Sequence, residues 1–372
     1  MAYCPNCARE IAPDAFKCPG CGADFKERDQ WRPVLMKPET AKPLNIAGGL
    51  MMIGVYLLVL GLGAIYGVAA YKTFADVFSI REASASGLML VSFLVGVPLA
   101  IGVLVGFIAR RRTNAGVAGT GALSTLSIAL FVFTAGAVLR EGSICIVMAA
   151  PLFFVAGIIG AIVGSFISPP KRRGSKLVPA VLLIPLVGGP LEAQFPSPTE
   201  HQVITRSVHI AAQPESVWQH INYPLDIQPS ELSEGFAYRI GVPYPIEART
   251  IEGRVGGTRT LKWERGVTFE ETITAWEPKR RVAWVYKFGP DSFPPGSLDD
   301  HIVIGGKYFD LEETSYTLTP EAGGTRLTIK VGTRITTNFN WYAGLWADYL
   351  VSDTAEAILK FYKTRSEKPA RG

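Results

Sequence analysis

The sequence predicts a multi-domain chain of mixed class. It combines a small cysteine-bearing metal module, an all-α transmembrane bundle of about five helices and an α+β domain of antiparallel strands with a long C-terminal helix. Three observations carry this. Four cysteines open the chain as two Cys-Pro-x-Cys pairs. Long uncharged apolar runs fill Leu44 to Pro190. From His201 the composition turns mixed and aromatic-rich, first strand-like and then helical.

Residues 1–28 hold Cys4, Cys7, Cys18 and Cys21 in the order C-x2-C-x10-C-x2-C. Each C-x-x-C turn can bring two sulfurs to one ion, and two such turns complete the closed tetrahedron of a structural zinc site. Four thiolates leave no open position for catalysis at that ion. The module resembles a short bacterial zinc ribbon, with "CPGCGADF" as its second knuckle. So small a unit cannot bury a core, so Zn2+ would supply its folding energy. The module's acidic and basic residues nearly balance, which favours a protein partner or a purely structural cap over nucleic acid. The fifth cysteine, Cys145, lies in an apolar run and reads as a small buried hydrophobe. No disulfide framework is implied, and the polar first residues do not read as a signal peptide.

Residues 29–43 form a Pro- and Lys-bearing linker. Of the chain's 372 residues 48% are hydrophobic, and they concentrate between Leu44 and Pro190. Segments 44–71, 87–109, 115–139 and 143–167 carry no charge and no His. Each is long enough to cross a hydrocarbon core of about 30 Å. They are rich in Gly, Ala and Ser, which permits close helix packing in lipid. The absence of an ionisable residue within them argues against transport. The fifth segment, 177–191, is shorter and holds Pro179, Pro185 and Pro190. It spans if Lys176 snorkels and the bilayer thins.

The net charge of +5 is modest, and its basic residues cluster beside the apolar runs rather than on a nucleic-acid surface. Arg110–Arg112 follow the second segment, and Lys171, Arg172, Arg173 and Lys176 follow the fourth. The opposite connections hold only Lys72 and Arg81, or Arg140. The positive-inside rule then predicts a plasma-membrane protein with a cytoplasmic N-terminus. Insertion of the fifth segment is the expectation, because an exposed apolar fifteen-mer in water is harder to explain, and it puts the C-terminal domain outside; with four spans that domain would stay inside.

Residues 200–366 read as one domain. "VITRSVHIAA" is a strand and Pro214–Ile221 a short helix with Pro at its start. Strands are expected at 237–250, 258–264, 267–276, 281–288, 308–319 and 326–334, with Gly256-Gly257 and Gly323-Gly324 as turns. A helix over 338–364 sets Asp348, Ser352, Glu356, Lys360 and Lys363 against Trp346, Leu350, Ile358 and Phe361.

This order resembles the SRPBCC superfamily, which includes START, Bet v 1-like and polyketide cyclase/dehydrase-like proteins. The resemblance is carried by "VHIAAQPESVWQHI", "GGTRTLKWERGVTFEETITAWEPKRRVAWVY", "YFDLEETSYTLTPEAGGTRLTIKVGT" and the terminal helix. It implies a helix-grip fold, a curved sheet around the long helix with a hydrophobic cavity between. It also implies a lipid or other hydrophobic ligand or, less commonly in such proteins, cyclisation or lyase chemistry.

Strand alternation independently selects the inward side chains. Arg259, Leu261 and Trp263 share one face. Phe269, Glu271 and Ile273 share the next, and Val282, Trp284, Tyr286 and Phe288 another. Trp341 joins these as a candidate from the terminal helix. Arg259 and Glu271 read either as a polar anchor for a ligand or as an ion pair satisfying itself. His301 reads either as a general base at the cavity mouth or as a solvent-facing loop residue. His209 alternates with Val208 and Ile210 and should face water. No Ser/His/Asp arrangement, P-loop or dinucleotide fingerprint is present. The leading expectation is a membrane-anchored protein that binds a hydrophobic small molecule or lipid. The alternatives are a cyclase-type enzyme using Glu271, Arg259 or His301, and a scaffold or sensor whose metal module meets a cytoplasmic protein.

Overall fold

The computed structural model describes residues 2–25, 46–78, 86–113, 115–139, 141–167, 177–232, 234–299 and 301–368. The linker 29–43 and Arg81, Arg140, Lys171, Arg172, Arg173 and Lys176 lie outside the described residues. The chain divides into two compact units, Met1–Gly54 and Val55–Gly372.

In the first unit, β1 (Ala2–Tyr3) pairs antiparallel with β2 (Glu10–Ile11). Cys4, Ile11, Cys18 and Phe25 are buried together, so the sulfurs stand in for a core.

Helix α1 (Ile46–Lys72) begins the apolar region. It continues as a wider π turn over Thr73–Val77. A second π turn, Ser92–Gly96, leads into α2 (Val97–Thr113). Then come α3 (Val117–Ala137), α4 (Ser143–Ile167) and α5 (Leu177–Glu192). Among the described residues, four helical stretches are long and apolar enough to cross a membrane: Leu50–Val77, Ser92–Thr113, Val117–Ala137 and Ser143–Ile167. The fifth is shorter. Leu50, Met51, Leu57, Ile65, Phe133, Val155 and Phe166 stand outward and exposed, which suits lipid rather than water.

The centre of this region is the α2–α4 contact, and small residues make it. A methyl group at Gly102 would strike the Gly157 carbonyl, and one at Gly106 the Ala161 carbonyl. Gly160 and Gly164 meet the Leu99 and Val103 carbonyls in the same way. Two small-xxx-small rows thus bring backbone against backbone. Hydroxyls bind the outer helices in. Ser124 donates to the Gly157 carbonyl at 2.9 Å, Ser127 to that of Leu60 at 3.1 Å, and Tyr66 to that of Leu182 at 2.8 Å.

The C-terminal part is a seven-stranded antiparallel sheet with a long helix. Its strands are β3 (Thr199–Ile210), β4 (Pro245–Thr250), β5 (Thr258–Trp263), β6 (Thr268–Glu277), β7 (Arg281–Lys287), β8 (Phe309–Glu321) and β9 (Gly324–Thr336). The order β3-β9-β8-β7-β6-β5-β4 is a meander closed by the first strand against the last. Register shifts near Ile273 in β6 and between Leu311 and Thr314 in β8 bend the sheet. Helices α6 (Pro214–Asn222) and α7 (Phe236–Ile240) cross one end, and α8 (Asn340–Glu367) packs on β3 and β9.

Two expectations change here. The strand expected over 237–250 is only its second half. Phe236–Ile240 is a helical turn because the Asp353 carboxylate accepts from the Ala237 N–H at 2.9 Å, and Gly241 at φ 126° ends the turn. Ser352, placed on the polar side of the last helix, is buried, because it accepts from Arg206 at 2.6 Å.

The sheet domain sits on the ends of the helices. The Glu192 carboxylate, at the end of α5, accepts from the backbone N–H groups of Val91 and Ser92 at 2.7 and 2.8 Å and from the Ser92 hydroxyl at 2.7 Å. It also accepts from the Asn338 amide at 3.1 Å, just before α8. The Asp299 carboxylate, from the loop after β7, accepts from the Cys145 N–H in the first turn of α4 at 3.0 Å. Ser143 donates to the Ile240 carbonyl at 2.5 Å, and Tyr342 of α8 donates to that of Met148.

Candidate functional site

A cavity of about 270 Å³ lies between the inner face of the sheet and α8. Its wall is mostly carbon. Strands β5 to β9 contribute Leu261, Trp284, Tyr286, Tyr316 and Val331, and α8 contributes Ala347, Leu350, Ala355 and Tyr362. The remaining side is not closed by the sheet domain. Met89, Ile144 and Met148, at the ends of the apolar helices, line it.

Arg259 and Glu271 form the polar spot in this wall. They face each other across the β5–β6 register, and Arg259 donates to Glu271 at 2.5 Å. Both side chains are almost wholly buried. A second guanidinium nitrogen donates to the Ile221 carbonyl at 2.9 Å, and the guanidinium lies 4.4 Å from the centre of the Trp284 ring. Burial pushes the Glu271 carboxyl up to about 7 against the pull of Arg259. Burial also pushes the Arg259 guanidinium down, but Glu271 outweighs it and holds the group above its ordinary value. We read the pair as charged, because the hydrogen bond and the stacked ring favour the ions together. Among the described residues, Arg259 Nε, Trp263 Nε1 and Trp284 Nε1 are buried donors of this wall without a hydrogen-bond partner. A buried orphan donor costs about 1–3 kcal/mol, so these N–H groups ask for an acceptor.

Of the candidates read from the sequence, Arg259, Leu261, Trp263, Glu271, Trp284 and Tyr286 line this one cavity. Phe269 is buried beside it, packed with Ala248, Leu261 and Val267. Ile273 is fully buried on the same strand face but does not reach the cavity. Trp341 lies outside it and is 64% exposed. The first turns of α8 are apolar on two faces, and Trp341, Leu345 and Tyr349 form the outward one. His301 is also elsewhere. Its Nε2 lies 3.2 Å from Glu141, in the connection between α3 and α4, and Tyr71 donates to the same carboxylate at 2.5 Å. Burial pushes the Glu141 carboxyl up, but these two partners outweigh it and hold it below the ordinary value. Asp300 lies outside the described residues.

Sequence reasoning missed Tyr316 and Tyr362. The alternation Thr314, Tyr316, Leu318 on β8 carried the signal for the first, and the step of four from Ile358 carried it for the second. It also missed Glu141, Cys145 and Asp299, whose potential ligand atoms lie within 4.8 Å of one another. Only the contact between the domain and the helices brings them together.

The four N-terminal cysteines cluster as a possible metal site. Cys4 and Cys21 sulfurs are 3.7 Å apart, and those of Cys7 and Cys18 are 3.6 Å apart. Metal–sulfur bonds of about 2.3 Å in a tetrahedron require about this spacing. Desolvation pushes the Cys18 thiol up, but backbone N–H groups of Cys21 and Gly20 pull it down, to about 6.

No family model matches the chain, and no curated protein matches it. Solved structures similar to it include a Mesorhizobium loti protein at 16% identity, covering 45% of this chain and 100% of that one, with a TM-score of 0.27. A Staphylococcus aureus protein of unknown function covers 45% and 94% at 13% identity, with a TM-score of 0.29. A Thermus thermophilus protein covers 44% and 97% at 16% identity, with a TM-score of 0.28. Likeness at this level says nothing of what this chain binds.

The buried pair makes a direct prediction. Arg259→Met or Glu271→Leu alone strands the partner charge and should cost about 3–5 kcal/mol in the unfolding of the purified full chain. The double substitution should cost less than either single change. Additive costs would show that the two groups do not act as a pair.

Proposed function

We propose that this is a membrane-anchored binding protein whose sheet domain, SRPBCC- and START-like with a helix-grip arrangement, holds a hydrophobic small molecule or lipid. The apolar cavity between sheet and α8 carries this reading. It has polar donors in its wall and membrane-helix side chains on one side. A carbon wall favours an apolar body, and the orphan N–H groups favour an acceptor such as a carbonyl or carboxylate oxygen.

Five spans and an extracytoplasmic sheet domain fit best. Glu192 at the end of α5 meets Val91 and Ser92, which open the second span. Arg110–Arg112 lie at that span's other end. Helix α5 therefore returns the chain to the end away from the arginines, the outer end by the positive-inside rule. The four cysteines would then lie in the reducing cytoplasm, where thiolates persist and Zn2+ is the ion their geometry suits. A cytoplasmic protein partner at that module remains part of the proposal.

The cyclase or lyase alternative has weaker support. Arg259 and Glu271 are engaged with each other, and His301 faces Glu141 instead of the cavity.

Native mass spectrometry of the full chain, released from membranes in mild detergent, tests the binding reading. The expected spectrum carries a discrete apolar adduct that organic extraction recovers and Ala347→Phe, which fills the cavity, removes. An adduct-free wild-type chain that takes up no added lipid would overturn it. The same spectrum should show one zinc per chain, lost in Cys18→Ser. Zinc retained by that variant would rule out the four-cysteine site.

A further inference from the structure

We propose that a second cavity, inside the helical bundle, is the tail subsite for the same ligand, and that this ligand is a single-chain amphiphile such as a long-chain fatty acid. The inference rests on the binding reading above and specifies its ligand.

The second cavity measures about 100 Å³ and lies among α1, α3, α4 and residues 88–94. Its wall is almost wholly carbon, with Phe93, Phe131 and Phe153 prominent. The rings of Phe131 and Phe153 stack at 6.0 Å, and Phe93 meets Phe153 edge-on at 5.9 Å. This void stands out beside the α2–α4 contact, where not even a methyl group fits. Side chains around an empty apolar space forgo dispersion contacts, so unfilled volume in so tight a bundle marks a place for a guest.

The two cavities share a wall. Met89, Met148, Ile302, Phe339 and Ala343 line both. Two of these five are methionines, unbranched and able to swing aside. Together the spaces lie near the small end of the range of about 300–1,000 Å³ for drug-sized ligands, room for one chain rather than a two-chain phospholipid.

The polarity of the walls sets the direction of the guest. Tyr71, Glu141 and His301 border the bundle cavity, but their polar atoms are turned to one another. In the sheet cavity, Arg259 Nε, Trp263 Nε1 and Trp284 Nε1 lack an acceptor among the described residues. The oxygen end of the amphiphile therefore lies in the sheet domain, and its chain runs past Met89 and Met148 into the bundle.

Photolabelling of the full chain in lipid nanodiscs tests this, with two palmitic acid probes. One carries a diazirine at the terminal carbon and the other beside the carboxyl group. The terminal probe should label residues 88–94 and 145–153, the carboxyl-proximal probe should label the sheet cavity, and excess palmitate should displace both. Ala149→Phe, in the wall of the bundle cavity alone, should abolish terminal labelling there and leave carboxyl-proximal labelling. If both probes label only the sheet cavity and Ala149→Phe changes nothing, the tail subsite is wrong and the binding reading stands. Bundle labelling that palmitate does not displace would be annular lipid and also overturns the subsite. If neither probe gives displaceable labelling, the fatty-acid assignment falls, and a native spectrum without an adduct would then remove the binding reading as well.

Discussion

Two carboxylates, one from the end of α5 and one from the sheet domain, cap two helices of the bundle, and the placing of the site depends on them. The first turn of a helix leaves backbone N–H groups without intrahelical acceptors. At the edge of an apolar slab such groups are costly to leave bare. Glu192 serves Val91 and Ser92, and Asp299 serves Cys145. The negative charges also complement the positive ends of the helix dipoles. Because Asp299 belongs to the sheet domain and Glu192 also holds Asn338 before α8, capping the helices and seating the domain are one act. That seating puts Met89, Ile144 and Met148 against the cavity.

The two halves of this unit solve packing in opposite ways. In the bundle, glycines remove side chains until backbones touch, the packing that suits helices in lipid, where no hydrophobic drive gathers large residues. In the sheet domain, large aromatics gather around Arg259 and Glu271 and leave a space. A desolvated ion pair is a poor source of net stability but an effective source of position. It holds a guanidinium over Trp284 and leaves one N–H facing an otherwise apolar region.

Much of this was legible in the sequence. Period-two alternation put Arg259 and Glu271 among inward apolar neighbours, since a charge on the buried face of a strand breaks the pattern visibly. Cysteine spacing marked the cluster of four cysteines for a similar reason, because its members are local. What the sequence concealed is non-local. His301 has the look of a loop histidine until Glu141, far away in the chain, is brought to it. Trp341 reads as an inward aromatic because the apolar turns that open α8 serve both the cavity and the outer surface. The helical turn at Phe236–Ile240 depends on Asp353, which no local propensity announces.

The sheet domain is seated on the helix ends, so that its cavity borders the apolar helices. The potential ligand atoms of Cys145 and Asp299 lie within 4.8 Å, so Asp299→Cys would place a second sulfur beside the native one. Mild oxidation of the full chain in native membranes, followed by peptide mass mapping, should recover a disulfide between positions 145 and 299. Failure to form that link, under conditions where both thiols react with a small alkylating reagent, would contradict the seating and with it the cavity bordered by the apolar helices.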